Sequence, residues 1–282
     1  MSWLDPPISA VRDVVARALA EDLGVLGDLT AALVPPDATV AAEVVARRAG
    51  VLAGRLAATE AVTAVDPAVA VTWHAADGDL LAPGTVVATW QGRLASVLTA
   101  ERTALNLLGH LSGIATLTRA YADAAGPRCR IRDTRKTTPG LRALEKAAVR
   151  AGGGVNHRGS LADGILVKDN HLAGLPIAEL VAAARARWPG QGVEVECDDL
   201  AQVRAALECG ADMVLVDNFT PAEVAEAVAL VDGRVPVEVS GGVTLATVAD
   251  YAAAGADLIA VGALTHSAPV LDVGLDLAPG SR

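Results

Sequence analysis

The sequence predicts an α/β protein in which an N-terminal α+β sandwich domain is followed by an open TIM-like α/β barrel. Six short β-branched runs after residue 126 alternate with alanine-rich helical stretches, which is typical of a parallel sheet. Four of these runs recur about every 20 to 23 residues, the length of one strand–helix unit. A doubly wound open sheet is the competing fold. No GxGxxG motif follows any predicted strand, which disfavours that alternative.

The first part of the chain has a different pattern of apolar and turn-forming residues. Apolar residues at helical spacing predict a helix over residues 8–34, closed by Pro35-Pro36. Turn signals then separate short strands, and a second helical pattern follows; we assign strands to 40–46, 69–73 and 86–90 and a helix to 96–125. The barrel strands are predicted at 130–133, 165–168, 193–197, 213–216, 235–239 and 258–261. We therefore predict domains 1–125 and 126–282, and we allow the C-terminal tail to return to the first domain.

Composition excludes several classes of protein. Apolar residues make up 52% of the 282 residues, which is typical of a globular chain and excludes general disorder. The net charge of −10 argues against nucleic acid or an anionic membrane surface as the main partner. Three scattered cysteines form no CxxC pair and favour the reducing cytoplasm, and charges interrupt every long apolar stretch. We expect a cytoplasmic protein without a membrane span.

Polar residues follow the predicted barrel strands, where barrel enzymes carry their active sites. Ordinary solvent exposure does not readily explain polar residues at five or six strand ends. Glu194 and Glu196 also share one face of an otherwise apolar strand. The residues concerned are Asp133-Thr134-Arg135-Lys136, Lys168-Asp169-Asn170-His171, Glu194, Glu196, Asp217-Asn218, Glu238 and Ser240-Gly241-Gly242.

Basic residues concentrate in one window of this acidic chain. The window carries a net charge of +7 and contains Arg128, Arg130, Arg132, Arg135, Lys136, Arg142, Lys146, Arg150 and Arg158. Helical spacing predicts that Arg142, Lys146 and Arg150 form a solvated helix face. Arg135-Lys136 and His157-Arg158 instead follow a strand end and a glycine loop. Because arginine binds carboxylate and phosphate in bidentate fashion, these pairs predict a pocket for a polyanionic ligand.

Glycines at the last two strands predict a phosphate site. Ser240-Gly241-Gly242 leaves one strand and is expected to open a helix over residues 245–254, and Gly262-Ala263 leaves the next strand. Backbone amides at such helix starts bind phosphate, and the last two strands of a barrel are a frequent place for it. Glu196 and Asp217 are suited to Mg²⁺ or ribose hydroxyls, so the pattern predicts a phosphorylated sugar beside an anionic co-substrate.

An ordered set of motifs extends over nearly the whole chain. It comprises Glu21-Asp22-Leu23-Gly24, Gly27-Asp28-Leu29-Thr30, Glu101-Arg102, Leu105-Asn106, Ser112-Gly113-Ile114-Ala115-Thr116, residues 133–142, Gly152-Gly153-Gly154, Asn156-His157-Arg158, residues 167–171, residues 193–196, residues 215–219 and Ser240-Gly241-Gly242. As an ordered set these motifs are highly specific. In them the chain resembles the quinolinate phosphoribosyltransferase family.

The resemblance implies a reaction and an assembly. The family is expected to join quinolinate to phosphoribosyl pyrophosphate, giving nicotinate mononucleotide, pyrophosphate and CO₂ in de novo NAD biosynthesis. Such an enzyme is a pentosyltransferase that requires Mg²⁺. The resemblance also implies a homodimer in which Arg102 reaches the active site of the partner. Assembly of such dimers into a hexamer, as a trimer of dimers, is left open.

The resemblance further implies roles for individual residues. Catalysis is assigned to Lys136, Lys168, Glu196 and Asp217. Substrate binding is assigned to Arg102, Arg135, Lys136, Thr137, His157, Arg158, Lys168, Glu196, Asp217, Ser240, Gly241, Gly242, Gly262 and Ala263. Glu196 and Asp217 are expected to hold Mg²⁺, partly through the substrate.

Three other interpretations remain open at this stage. A paralogue acting on another pyridine carboxylate or heterocyclic base is disfavoured by the full basic set, because two carboxylates need more cations than one. A lyase that forms a Schiff base on Lys168 would be trapped by borohydride with its substrate. A nucleic-acid-binding module is disfavoured by the net charge and by the carboxylates embedded at the strand ends.

Overall fold

A computed structural model of the chain describes residues 4–172 and 174–277. The helices are α1 (Ile8–Leu23), α2 (Arg55–Val65), α3 (Leu94–Ala125), α4 (Arg142–Ala151), α5 (Asp169–Leu172), α6 (Ile177–Arg187), α7 (Leu200–Glu208), α8 (Pro221–Val231), α9 (Val248–Ala253) and α10 (Ala263–His266). The strands are β1 (Thr39–Ala46), β2 (Gly50–Val51), β3 (Ala70–Trp73), β4 (Leu80–Leu81), β5 (Val86–Arg93), β6 (Arg130–Arg132), β7 (Ile165–Val167), β8 (Val193–Cys197), β9 (Met213–Asp217), β10 (Val237–Ser240), β11 (Leu258–Ala260) and β12 (Val273–Leu277). None of the helices in this described part of the chain has the length and apolar character that a bilayer crossing requires.

The chain forms two compact units. The first contains the described residues up to Arg119, the segment Thr137–Gly153 and the described residues from Leu264 onward. The second contains Ala120–Lys136 and Gly154–Ala263. Each unit is therefore built from separate stretches of sequence, and the predicted single boundary between residues 125 and 126 stays a prediction.

The first unit is built on a four-stranded antiparallel sheet with the order β12-β1-β5-β3. Strand β1 alternates between buried and half-buried residues from Val40 to Val44, because one face of an antiparallel sheet packs against the core. Trp90 on β5 is fully buried. The pairing of β12 with β1 brings the C-terminal segment into this sheet. The short strands β2 and β4 pair separately.

The helix predicted over residues 8–34 is wrong beyond Leu23. The chain leaves α1 at Gly24 with φ of 52°, and Gly27 has φ of 71°, a region in which glycine carries no steric penalty. The Asp28 carboxylate then accepts the backbone N–H groups of Thr30 and Ala31 at 3.0 and 2.8 Å. This side chain starts the single 3₁₀ turn Ala31–Leu33, so the apolar spacing beyond residue 24 belongs to a turn.

The solvated face predicted for α4 is also wrong. Lys146 is only 6% exposed, and the neighbouring Glu145 is fully buried. Glu145 accepts hydrogen bonds from the backbone N–H of Thr138 at 3.1 Å and pairs with His110 Nε2 at 2.9 Å. Buried polar groups need such partners, and the charged residues of α4 find them inside the first unit.

The second unit is an open α/β barrel whose six parallel strands have the order β6-β11-β10-β9-β8-β7. All six predicted barrel strands are present, with ends shifted by at most two residues. The strands β6 and β7 form the two edges of the sheet. Val155 makes an isolated parallel bridge to Arg132 on β6, and the following segment 156–164 leads to the start of β7.

Helices α7 and α8 connect strands that are neighbours in this sheet, as expected for parallel pairing. α7 buries Val203 and Ala206, and α8 buries Val224, Ala227 and Val231. The buried side chains of β8 and β9 form near-continuous runs, because parallel strands are covered on both faces. Glu194 on β8 and Glu238 on β10 are buried charged residues between apolar neighbours of their strands.

Replacing Gly113 with alanine is expected to destabilise the first unit. Alanine ordinarily stabilises a helix by about 1 kcal/mol relative to glycine. At Gly113 on α3, however, a Cβ atom would overlap the backbone carbonyl oxygen of Pro269. Relieving that overlap requires a backbone shift, so we expect a net loss of about 1 to 3 kcal/mol in the free energy of unfolding.

Chemical denaturation measures this loss, and Gly190→Ala is the matched control. A Cβ at Gly190 meets no heavy atom of the described chain within 4 Å. The control is expected to keep the stability of the unsubstituted chain. Equal stability of the two variants would contradict the close approach of α3 to residue 269.

Candidate functional site

The carboxyl ends of the barrel strands carry the predicted catalytic side chains. Lys168 directly follows β7, Glu196 lies near the end of β8, and Asp217 ends β9. Parallel strands present these ends at one edge of the sheet. The Lys168 ammonium donates a hydrogen bond to Glu196 Oε2, so the structure brings these two predicted residues into contact.

Basic side chains lie on the segment that follows β6 and on the segment that precedes β7. Arg135 is half-buried and Lys136 is exposed, and both follow β6. Arg158 lies on the segment 156–164, and its guanidinium donates to the carbonyl oxygen of Gly164 at 3.1 Å. Burial and the positive charge of Arg135 lower the pKa of Arg158, although Glu194 and Glu196 oppose this effect. The Arg158 guanidinium therefore interacts electrostatically with Arg135 and with both carboxylates.

The ends of β9 and β10 approach each other closely. Asn218 adopts a left-handed conformation with φ of 59°, and its backbone N–H donates to the carbonyl oxygen of Ser240 at 2.9 Å. Its amide Nδ2 donates to Asp217 Oδ2 at 2.6 Å. Gly241 has φ of 93°, and a Cβ there would overlap Asn218. Only glycine fits this approach without strain, which explains one glycine of the predicted phosphate site.

The helix expected to start right after these glycines begins later than predicted. α9 begins at Val248 and has six residues. Thr244 and Thr247 instead form a turn in which the Thr244 N–H donates to Thr247 Oγ1 at 3.0 Å. The amides of Gly241 and Gly242 therefore belong to a turn and not to a helix N-terminus, so no helix dipole acts at these two glycines.

Four side chains that we did not combine from the sequence meet inside the barrel. Arg132 Nη1 donates to Glu238 Oε2, and it lies 3.9 Å from Glu194 Oε1. His157 Nε2 lies 3.2 Å from Glu194 Oε2 and 3.8 Å from Glu238 Oε1. We call Arg132, His157, Glu194 and Glu238 the interior cluster. The sequence feature that indicates this cluster is a charged residue between two valines, at Glu194 on β8 and at Glu238 on β10. Because side chains alternate between the two faces of a strand, each glutamate lies on the opposite face from these valines.

Burial decides the protonation of the two carboxyl groups in the interior cluster. Burial and the negative charge of Glu194 raise the pKa of Glu238 to about 8. Burial also acts to raise the pKa of Glu194, but the hydrogen bond from His157 and the charge of Arg132 outweigh it and lower that pKa. The pKa values of the two carboxyl groups are therefore shifted in opposite directions, which favours a proton on Glu238 over one on Glu194.

Asp133 fixes the segment that carries His157. This side chain is fully buried. Its Oδ1 accepts the backbone N–H of His157 at 2.8 Å, and its Oδ2 accepts Nδ2 of Asn156 at 2.6 Å. Asp133 was part of a sequence motif but was absent from our predicted site set. Its role depends on a contact with His157, which lies 24 positions later in the sequence, and a local sequence pattern cannot show such a contact.

A cavity of about 410 Å³ opens at the amino ends of β7, β8 and β9. It is lined by the interior cluster members Arg132, His157 and Glu194, and by Arg158. This end of the barrel lies opposite the Lys168–Glu196 pair. His157 and Arg158 therefore line space at the amino ends of the strands, while Arg158 also interacts electrostatically with Glu196.

The remaining predicted residues are divided between the two units. Arg102, on α3, and Thr137 belong to the first unit. Arg102 is exposed and lies 3.6 Å from Glu101. The second unit contains Arg135, Lys136, His157, Arg158, Lys168, Glu196, Asp217, Ser240, Gly241, Gly242, Gly262 and Ala263.

Comparison with known proteins shows the family of the chain. Residues 28–112 match the model for the N-terminal domain of quinolinate phosphoribosyl transferase, and residues 114–276 match the model for its C-terminal domain. The chain belongs to the quinolinate phosphoribosyltransferase family. The resemblance read from the ordered motifs is thereby confirmed.

Named relatives of this family match over nearly the full chain. The nicotinate-nucleotide pyrophosphorylase (carboxylating) of Mycobacterium leprae (strain TN) is 46% identical over 97% of this chain and 99% of its own length. A probable enzyme of the same name from Bacillus subtilis (strain 168) is 42% identical over 95% of this chain and 93% of its own. Among solved structures, the nicotinate-nucleotide pyrophosphorylase from Francisella tularensis is similar with a TM-score of 0.93 and 35% identity, covering 97% of this chain and 98% of that chain.

Proposed function

We propose that this chain transfers the phosphoribosyl group of phosphoribosyl pyrophosphate to quinolinate and releases pyrophosphate and CO₂. The product is nicotinate mononucleotide, a precursor of NAD. The observation that carries this proposal is the combination of a cationic set with carboxylates at the strand ends, in a chain whose relatives bear the corresponding enzyme name. The enzyme class is that of the pentosyltransferases.

Quinolinate has two adjacent carboxylates on a pyridine ring, and it needs more than one cation. We assign its carboxylates to Arg135, Arg158 and Lys168 of one chain and to Arg102 of a partner chain. The electrostatic repulsion between Arg135 and Arg158 supports this assignment, because each positive charge raises the energy of the other in the folded chain. Such repulsion is relieved when an anion binds between them. A monocarboxylate would relieve it less.

The phosphoribosyl group is assigned to the edge formed by β8 to β11. Glu196 and Asp217 bind the ribose hydroxyls, while Lys136 and Lys168 neutralise phosphate oxygens. The backbone of Ser240, Gly241, Gly242, Gly262 and Ala263 receives the 5′-phosphate. Gly242 supports this, because a Cβ there would meet no heavy atom of the described residues within 4 Å, so the space beside its backbone is open to a phosphate group.

Magnesium fits the donor set at this edge. Glu196 and Asp217 offer carboxylate oxygens, and Mg²⁺ is bound in proteins by one or two carboxylates together with substrate phosphates. We assign the ion to these two residues. When bound, Mg²⁺ supplies positive charge to the leaving pyrophosphate.

The chemistry proceeds by positioning and fixed charge. The bond between C1 of the ribose and the pyrophosphate oxygen breaks, and pyrophosphate takes the electron pair. The pyridine nitrogen donates its lone pair to C1, which has oxocarbenium character that Glu196 or Asp217 stabilises. The C2 carboxylate then leaves as CO₂. Its electron pair stays at C2, where the positive ring nitrogen stabilises it until a proton from solvent binds. No covalent enzyme intermediate is needed.

The proposed assembly is a homodimer in the cytoplasm. Arg102 would serve the active site of the partner chain. Its side chain is 64% exposed on α3, so it is accessible to a second copy.

The test is a mass-spectrometric assay with phosphoribosyl pyrophosphate and Mg²⁺, with quinolinate in one tube and nicotinate in another. We expect nicotinate mononucleotide and equimolar CO₂ from quinolinate, and at least a hundredfold less product from nicotinate, because one bidentate carboxylate contact is missing. Removal of Mg²⁺ by a chelator is expected to stop the reaction until the ion is added back. Faster turnover of nicotinate would overturn the proposal and indicate a paralogue with a different substrate.

A further inference from the structure

The short segment that leads into α4 has a fixed backbone path. Pro139 and Gly140 form the centre of a tight turn, in which the N–H of Leu141 donates to the carbonyl oxygen of Thr138 at 3.0 Å. Gly140 has φ of 83°, and a type II turn requires such a value at its third position, after a proline that is common at the second. The two threonines before this turn therefore enter α4 along a defined course.

The carboxylate of Glu145 holds the second of these threonines. Glu145 Oε2 accepts the backbone N–H of Thr138 at 3.1 Å, and Glu145 Oε1 lies 2.9 Å from Nε2 of His110 on α3. The Glu145 side chain is fully buried. A buried carboxylate is costly without hydrogen-bond partners, so these contacts keep it in one orientation. The peptide of Thr138 is thereby anchored to two helices of the first unit.

Arg142, one turn earlier on α4, contacts the first threonine. Its Nε donates to Thr137 Oγ1 at 2.9 Å. A guanidinium can only donate, so the oxygen of Thr137 accepts here and its own hydroxyl hydrogen is directed to another acceptor. The Thr137 side chain is half-buried. The contact makes Thr137 a hydroxyl donor whose oxygen is polarised by a positive charge.

An anionic oxygen is the acceptor that suits this donor best. Hydrogen bonds to an ionised acceptor are about twice as strong as those between neutral groups. Thr137 directly follows Lys136 in the sequence, and Lys136 is proposed to neutralise phosphate oxygens. Phosphoribosyl pyrophosphate is the substrate that offers such oxygens.

We propose that Thr137 donates its hydroxyl hydrogen to a phosphate oxygen of phosphoribosyl pyrophosphate, and that Arg142 and Glu145 are positioning residues that orient it from α4. This proposal rests on the proposed function. The family resemblance implies only general substrate binding for Thr137, and the proposal names the group that it binds. Arg142 and Glu145 have no role in the predicted site.

Thr137→Val and Thr137→Ser test the hydroxyl group. Valine has a similar shape but no hydroxyl, so we expect it to raise the KM for phosphoribosyl pyrophosphate at least tenfold, with smaller changes in kcat and in the quinolinate KM. Serine keeps the hydroxyl, and its KM is expected to stay within threefold of the unsubstituted enzyme. An unchanged KM in the valine variant, or a rise in the quinolinate KM alone, would overturn the proposal.

Glu145→Leu and Glu145→Gln test the positioning role. Glutamine keeps an oxygen for the Thr138 N–H and an amide toward His110, whereas leucine has a similar size and no acceptor. We expect the leucine variant to raise the KM for phosphoribosyl pyrophosphate at least fivefold and the glutamine variant to stay within twofold. Val149→Ala is the matched control, because it removes fully buried volume from α4 but no hydrogen bond. An equal rise in this control would mean that loss of packing causes the effect, and the positioning role would be wrong.

Amide exchange provides a readout that is independent of substrate. Without ligands, the Thr138 amide is expected to exchange at least tenfold faster in the Glu145→Leu variant than in the Glu145→Gln variant, and equal rates would overturn the anchoring of Thr138. Thermal unfolding establishes that both variants fold. If the leucine variant does not fold, Arg142→Met replaces it, because methionine keeps much of the apolar stem but cannot donate to Thr137. The same rise in KM is then expected, and an unchanged KM would overturn the role of Arg142.

The unsubstituted enzyme, measured in parallel, distinguishes failure of this proposal from failure of the proposed function. If it does not consume phosphoribosyl pyrophosphate together with quinolinate, the proposed function is wrong and this proposal is wrong with it. If it consumes both substrates and Thr137→Val keeps every kinetic constant, only the role of Thr137 is overturned.

Discussion

Replacing Lys168 with alanine is expected to lower kcat by about a hundred- to a thousandfold, the usual cost of removing one preorganised charge from a transition state. The Lys168 ammonium hydrogen-bonds to Glu196 at the carboxyl ends of adjacent strands. Its loss removes the cation that meets the leaving group. It also leaves Glu196, whose side chain is 11% exposed, without that counter-ion. Steady-state kinetics with both substrates saturating measures the effect.

Arg185→Ala is a matched control for this variant. Arg185 also pairs with a carboxylate, Asp212, at 2.8 Å, and its side chain is 38% exposed against 39% for Lys168. It lies on α6 of the same unit, and its partner Asp212 directly precedes β9, so kcat is expected to stay within twofold. A comparable loss in both variants would mean that general destabilisation causes the effect, and an unchanged kcat for Lys168→Ala would contradict the role of Lys168.

The same variant tests the partner role of Arg102. When Lys168→Ala and Arg102→Ala chains exchange subunits in equal amounts, half of the dimers are mixed. Each mixed twofold dimer then contains one site with both side chains. Activity is expected to recover to about a quarter of that of the unsubstituted enzyme. If subunit exchange is demonstrated but activity does not recover, Arg102 acts in the active site of its own chain or in no active site.

The barrel strands and the contact between Lys168 and Glu196 could be predicted because both follow local rules. A β-branched run with a helix after it predicts a parallel strand, and the carboxyl ends of such strands meet at one edge. Lys168 ends one predicted strand and Glu196 lies in the next. The sequence order of the strands then matches their order in the sheet from β7 to β11. No long-range information was needed.

The errors concern groups whose environment depends on distant residues. Lys146 was expected in solvent because charged residues at helical spacing are usually exposed, yet seven of the ten residues of α4 are buried. The interior cluster was missed because Arg132 and Glu238 are 106 residues apart. A lone charge in a strand shows that a partner is required but not which one. The end of α1 was missed because Gly24 and Asp28 redirect the backbone without interrupting the apolar spacing.

Replacing Arg135 with alanine is expected to raise the quinolinate KM by about ten- to a hundredfold while the fold and the KM for phosphoribosyl pyrophosphate change little. The loss corresponds to one charge-assisted contact to a carboxylate, which contributes about 1.5 to 3 kcal/mol. Arg135 lies on the segment after β6, and its charge depresses the pKa of Arg158. Quinolinate binding relieves the repulsion between Arg135 and Arg158. In the Arg135→Ala variant this repulsion is already absent, so that part of the driving force for binding is lost.

Two further variants test whether the change in quinolinate KM is specific to the Arg135 guanidinium. Arg130→Ala removes an exposed arginine from the same strand region and is expected to leave the quinolinate KM unchanged. Arg135→Lys keeps the charge but loses the planar fork, so an intermediate KM is expected if the contact is bidentate. A KM for Arg135→Ala equal to that of the Arg130→Ala control would exclude Arg135 from the quinolinate site. Arg135 would then act on the phosphate groups instead, because the next residue, Lys136, is assigned to that substrate.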